Sequence, residues 1–174
     1  MRGPEMTLMR TGSGVAAAAL AVLAFVGAAA AADGDTARGG GVEIVLPDGW
    51  TRIQPPAQTP TDDPRTVIVI GTSGVRAVDS DCLVSSYRVP SDGAVVVVIG
   101  WREANGASSF LPLSGMKLRR GTFGCFPDRG AVAQVTRRGL DYQVNVMVGD
   151  RASAETIDAA LDAARSIVAA RRHD

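Results

Sequence analysis

Residues 131–148 constrain the fold more than any other part of the chain. Leu140, Tyr142, Val144, Val146 and Val148 alternate with Asp141, Gln143, Asn145 and Met147. Ahead of them Ala131–Arg137 forms a first arm, and Arg138-Gly139 lies between the two. A period of two on both sides of a two-residue Xaa-Gly connection predicts a β-hairpin, and hence an antiparallel sheet. The alternation further predicts one buried face on the second arm and one mostly wet face.

The neighbouring segments extend this reading. Thr66–Thr72 (TVIVIGT) and Ala94–Trp101 (AVVVVIGW) are apolar, β-branched runs bounded by turn residues, as expected of strands buried on both faces. The second is the more apolar and is expected at the sheet centre. Val42–Leu46 alternates and stops at Pro47-Asp48-Gly49, with Trp50 and Ile53 at the core edge. Asp79-Ser80-Asp81 offers N-cap chemistry to a short helix over Cys82–Tyr87. Ser153 is placed to cap a final helix with Ile157, Ala160, Leu161, Ala164 and Val168 on one stripe. Arg171 and Arg172 are expected at its negative end. Together these predict an α+β domain: a mostly antiparallel sheet of about five strands, with a C-terminal helix packed on one face in two layers.

The N-terminus has a different character. Arg2 and Arg10 precede an unbroken small and apolar run from Val15 to Ala32, which ends in Ala30-Ala31-Ala32 before Asp33. A charged start, an apolar centre and an A-x-A site describe a secretory signal peptide cleaved between Ala32 and Asp33. The alternative is an uncleaved membrane anchor, with the run at the lower limit for a span and rich in alanine. In both cases the arginines stay inside and the remainder is secreted or held outside the cytoplasm at the cell envelope. Residues 33–41 (DGDTARGGG) are expected as a flexible linker, and 42–170 as a single ectodomain.

Cys82 and Cys125 are the only cysteines. An even count in an exported chain predicts a disulfide, closing a loop of roughly 40 residues worth roughly 4 kcal/mol. The spacing is not that of a redox motif.

The remaining chemistry is sparse. The sole histidine, His173, is penultimate, where no packing can hold it for a triad, and with two cysteines it makes no zinc set. Asp79 and Asp81 form the one acidic pair considered for a metal-assisted enzyme, against helix capping as the plainer role. Asp62-Asp63, in the proline-rich surface loop Gln54–Pro64, is expected to face water. No nucleotide phosphate cradle is present. No catalytic, cofactor-binding or metal-binding set is therefore expected. With 18 basic against 18 acidic residues, nucleic acid is not an expected partner. Arg119-Arg120, Arg137-Arg138 and Arg171-Arg172 either form an anion-binding patch or serve as solvated turn and helix-end residues. Trp50, Trp101, Phe110, Phe123 and Phe126 either line a pocket or fill the core.

The motif order carries a resemblance. V-x-I-x-L-P-D-G-W (42–50) is followed by D-P-R (63–65), a cysteine, D-G-A-V-V-V-V (92–98) and C-F-x-x-R-G (125–130). A hairpin ending in V-x-V-G (146–149) and a terminal helix complete it. The chain resembles a group of small exported or single-anchor actinobacterial proteins, and more loosely the PsbP/Mog1 type of domain. The resemblance implies a structural framework and partner binding rather than catalysis, and assigns no functional residue.

The expected function is thus an exported, non-enzymatic envelope domain that binds a protein partner or a small ligand. An envelope enzyme using a carboxylate and metal site is one alternative. A sensing domain on an uncleaved anchor is the other, although too few residues precede residue 15 to hold a cytoplasmic signalling domain.

Overall fold

A computed structural model describes residues 35–59, 61–81, 86–102, 112–124, 126 and 128–171. They belong to the second of two compact units, Ala32–Asp174. The expected signal or anchor (residues 1–32), both cysteines, Phe110, Arg172 and His173 lie outside the described residues.

The main sheet contains six strands, all antiparallel to their neighbours, rather than about five. In chain order they are β3 (Thr51–Arg52), β4 (Arg65–Gly71), β7 (Ala94–Gly100), β8 (Arg119–Arg120), β9 (Arg129–Arg137) and β10 (Leu140–Val148). Across the sheet the order is β3-β4-β7-β10-β9-β8, with β7 central as its composition requires. A second sheet joins β1 (Thr36–Gly39), β2 (Val42–Val45) and β11 (Val168–Ala169), and a third pairs β5 (Arg76–Ala77) with β6 (Tyr87–Arg88). Helix α1 (Ala154–Arg165) packs on β7 and β10.

The β9–β10 hairpin follows the sequence reading closely. Arg138 and Gly139 take φ of 51° and 77°, both left-handed, so the two-residue turn matches the strands' twist. The register then runs unbroken from Leu140↔Arg137 to Val148↔Arg129. Tyr142, Val144, Val146 and Val148 face the helix side with Ile68, Ile70, Val96 and Val98.

The opposite face is not mostly wet. Asp141, Asn145 and Met147 are buried there too. Tyr87 and Phe126 lie over Val69, Val95, Val97, Ile99 and Met147, and Trp101 and Phe123 pack at the margin. Alternation could not reveal this cover, because it comes from segments remote in the chain. Trp50 is buried on the helix side, so the four described aromatics of the expected set serve the two cores.

Three further expectations are corrected. The segment read as a linker contains β1, whose Thr36, Ala37, Arg38 and Gly39 pair with Val45, Ile44, Glu43 and Val42. Its strand character comes from this partner, with an Arg38–Glu43 ion pair of 2.8 Å across the ladder. Tyr87, expected in a helix, lies in β6. Finally, α1 is shorter than its sequence stripe. It starts at the Ser153 cap, whose hydroxyl accepts from the Thr156 N–H at 3.1 Å, and ends at Arg165. Val168 is consequently exposed on β11, and Ile167 fills the core instead. Arg137 supplies the cation past the helix end, donating to the Ile167 carbonyl at 3.1 and 3.3 Å.

Candidate functional site

The described cleft lies beside the first half of β4. It has a volume of about 470 Å³, and the described residues lining it are Gly40, Gln58, Thr59, Arg65, Thr66 and Val67. Strand β3 covers only the far half of β4, through Thr51↔Gly71 and Arg52↔Ile70. Pro55 and Pro56 have no N–H to donate and lead the chain away from that edge.

The Gln58 side chain returns to it. Its Oε1 accepts from the Thr66 N–H at 2.8 Å, and its Nε2 donates to the Thr66 carbonyl at 3.3 Å. One carboxamide thus occupies the place of a missing strand partner. The loop tip is tied separately: the Thr59 N–H and hydroxyl both donate to the Asp62 carboxylate. Those bonds hold the Asp62 carboxyl below the usual carboxylate range, with Arg102 adding a smaller pull the same way. Asp63 accepts from the Arg102 N–H at 3.2 Å. Both loop carboxylates are therefore engaged at the rim.

The opposite wall is the turn between β1 and β2. The β4–β7 register shifts between Thr66 and Ile68, which makes Val67 a bulge residue. Gly39 lies directly on it: a Cβ there would sit 2.0 Å from the Val67 carbonyl oxygen. Only glycine permits that approach. The Tyr142 hydroxyl anchors the same turn by donating to the Gly40 carbonyl at 2.6 Å. Burial raises the Tyr142 phenol above its ordinary value, partly offset by the positive charges of Arg138 and Arg65. Arg65 is exposed at the mouth and makes no ion pair among the described residues. Chemically this is a pre-shaped cleft of mixed polar and apolar lining with a cation at its opening.

On the other face Tyr87 is 3% exposed and its hydroxyl has no hydrogen bond of ordinary geometry among the described residues. Burial pushes that phenol up to about 12, and the nearby Thr66 side chain pulls weakly the other way. Asn145 is fully buried on this face, accepting from Gln143 at 2.7 Å and donating to the Val97 carbonyl at 3.3 Å.

The residues singled out by sequence do not converge. Asp79 and Asp81 are exposed, and no group of three metal-binding side chains occurs among the described residues. Arg119 and Arg120 pair with the start of β9, whereas Arg137 and Arg138 lie at its far end, roughly 25 Å away at strand rise. The arginine pairs therefore form no single patch there. Sequence reasoning missed the cleft because its parts come from a loop, a bulge and a turn that no periodicity connects. The one available signal was D-P-R at 63–65, which carries Arg65. In comparisons with protein-family models, curated proteins and solved structures, no match was found.

Proposed function

We propose that this chain is an exported, non-enzymatic binding domain of the cell envelope that holds a small anionic ligand in the cleft beside β4. The observation that carries the reading is Arg65, a cation without an ion-pair partner among the described residues, at the mouth of a cleft with fixed walls. The Gln58–Thr66 and Tyr142–Gly40 bonds set those walls before any ligand arrives, which lowers the ordering cost of binding. Arg138 and Arg65 both act electrostatically on Tyr142, so positive potential extends along that wall.

Export rests on the charged start and apolar run at residues 2–32. A Cys82–Cys125 disulfide fits that compartment. It is supported by Tyr87 and Phe126, near the two cysteines in sequence, sharing one core cluster. The ectodomain in this reading is two-layered and begins with β1 rather than at residue 42.

The test is a titration of the isotopically labelled mature protein with acetate, citrate and inorganic phosphate, followed by amide chemical shifts. Shifts concentrated at Gly40, Thr59, Arg65, Thr66 and Val67, and lost in Arg65→Gln, are expected. Shifts spread over all exposed arginines would sink the reading.

A further inference from the structure

We propose that the cleft takes the carboxyl-terminal end of a short extended peptide. Its backbone displaces the Gln58 carboxamide and pairs with Thr66, and its free carboxylate meets Arg65. The proposal rests on the anion-binding reading above and names the chemical class of that anion.

The edge of β4 defines the ligand. Strand β3 bonds the far half of that edge, and the last bond along it runs from the Ile53 N–H to the Val69 carbonyl. Pro55 and Pro56 then lead the chain away. The register shift between Thr66 and Ile68 inserts a residue. Thr66 therefore turns its N–H and C=O to the same side as the Val69 carbonyl, although an odd number of positions separates the two. It is the next bonding position along the edge, and no described strand lies against it on that side.

What fills the position is a mimic of a peptide group. Gln58 Oε1 accepts from the Thr66 N–H at 2.8 Å, and Nε2 donates to the Thr66 carbonyl at 3.3 Å. Both backbone groups of one residue thus bond to one partner, as in a hydrogen-bonded antiparallel pair and unlike parallel strands. A peptide residue taking over both bonds runs antiparallel to β4, in line with β3. That direction carries the ligand's C-terminus towards Arg65, the residue before Thr66. The terminal residue falls opposite Arg65, which is exposed and has no ion pair among the described residues. The planar fork of a guanidinium matches a carboxylate.

The site also limits the ligand's length. One position beyond Thr66, Gly39 lies directly on the Val67 carbonyl and closes the edge to further pairing. About two residues at strand rise fit between that turn and the cleft mouth. Displacing Gln58 moves only a side chain, because the loop tip is held separately by Thr59 on Asp62 and by the Arg102 N–H on Asp63.

N-acetyl-dialanine, its C-terminal amide and acetate, each titrated into the labelled mature protein, test the proposal by amide shifts and hydrogen exchange. The free acid is expected to bind about tenfold or more tighter than either its amide or acetate. It should also move the Gln58 side-chain NH2 signals to those of an exposed carboxamide. In Gln58→Ala the Thr66 amide should exchange fast, and N-acetyl-dialanine, unlike acetate, should restore its protection. That variant should bind the peptide about threefold or more tighter, since no side chain competes for the edge.

Acetate shifts that vanish in Arg65→Gln, without tighter binding of N-acetyl-dialanine, overturn the proposal and leave the anion site standing. No shift from any of the probes overturns both. Equal binding of the acid and its amide takes the carboxylate off Arg65 and overturns the proposal, as does a Thr66 amide that stays fast in peptide-saturated Gln58→Ala. Should that variant fail to fold, the native chain decides: Gln58 side-chain signals unmoved at saturation overturn it equally.

Discussion

Tyr142 and Gly40, 102 residues apart in the chain, are joined by a hydrogen bond of 2.6 Å from the phenol to the glycine carbonyl. The same ring lies across Gly100, its cross-strand neighbour, where an added Cβ would sit 3.1 Å from the ring carbon Cε1. One side chain thus fills a gap in the main sheet and fixes the turn that walls the cleft.

Tyr142→Phe keeps the ring and removes the tie. The expected loss is about 1 kcal/mol of unfolding free energy, read by urea denaturation. Amide shifts at Gly40 and Gly41 should move more than those at Gly100. An effect confined to Gly100 would mean that the turn is held by something else.

Gly39→Ala places a methyl group into the Val67 carbonyl, backbone against backbone, where no rotamer change relieves it. Destabilisation of about 2 kcal/mol or more is expected, with the hairpin of β1 and β2 displaced from β4. Loss of exchange protection in β1 and β2 ahead of β10 would mark that displacement.

Gln58→Ala removes both bonds to Thr66 and should cost about 1–2 kcal/mol. Its signature is fast exchange of the Thr66 amide while Val69, which accepts from the Ile53 N–H just beyond β3 at 2.9 Å, keeps its environment. Gln58→Glu should be the worse change, since a carboxylate would then face the Thr66 carbonyl.

Both tyrosines titrate above the ordinary phenol value, Tyr87 at about 12. The folded state holds its phenolic protons longer than the unfolded chain. The contribution of Tyr87 is therefore complete below about pH 10 and is lost as pH rises towards 12, and that of Tyr142 is lost in the same direction. The chain has only two tyrosines, so phenolate absorbance reports them alone. The expected trace lags behind that of free tyrosine, and its Tyr87 component rises only towards pH 12, together with unfolding. Tyr87→Phe should stabilise the protein in that alkaline window by removing the ionisable hydroxyl.

Long, strongly patterned elements were readable from the chain. β10 begins and ends where the alternation does, and β4, β7 and β9 differ by a residue or two. The Ser153 cap of α1 was equally plain, because capping needs only one hydroxyl at one position. Strands β3, β5, β6, β8 and β11 each have two residues, too few for any period to register. Strand β1 (TARG) has no strong intrinsic strand preference and exists through its pairing with β2 and its seat on Val67. The cleft was hidden for the same reason. Gln58 looks like an ordinary loop residue until the tertiary fold brings its amide to Thr66.

A ligand in the cleft is tested most directly by a native mass spectrum of the protein recovered from its host's envelope or medium. The expected result is a chain beginning at Asp33, two hydrogens light, carrying a small acidic species that Arg65→Gln fails to retain. A bare chain from both proteins, or a species kept equally by the Arg65 variant, would contradict it.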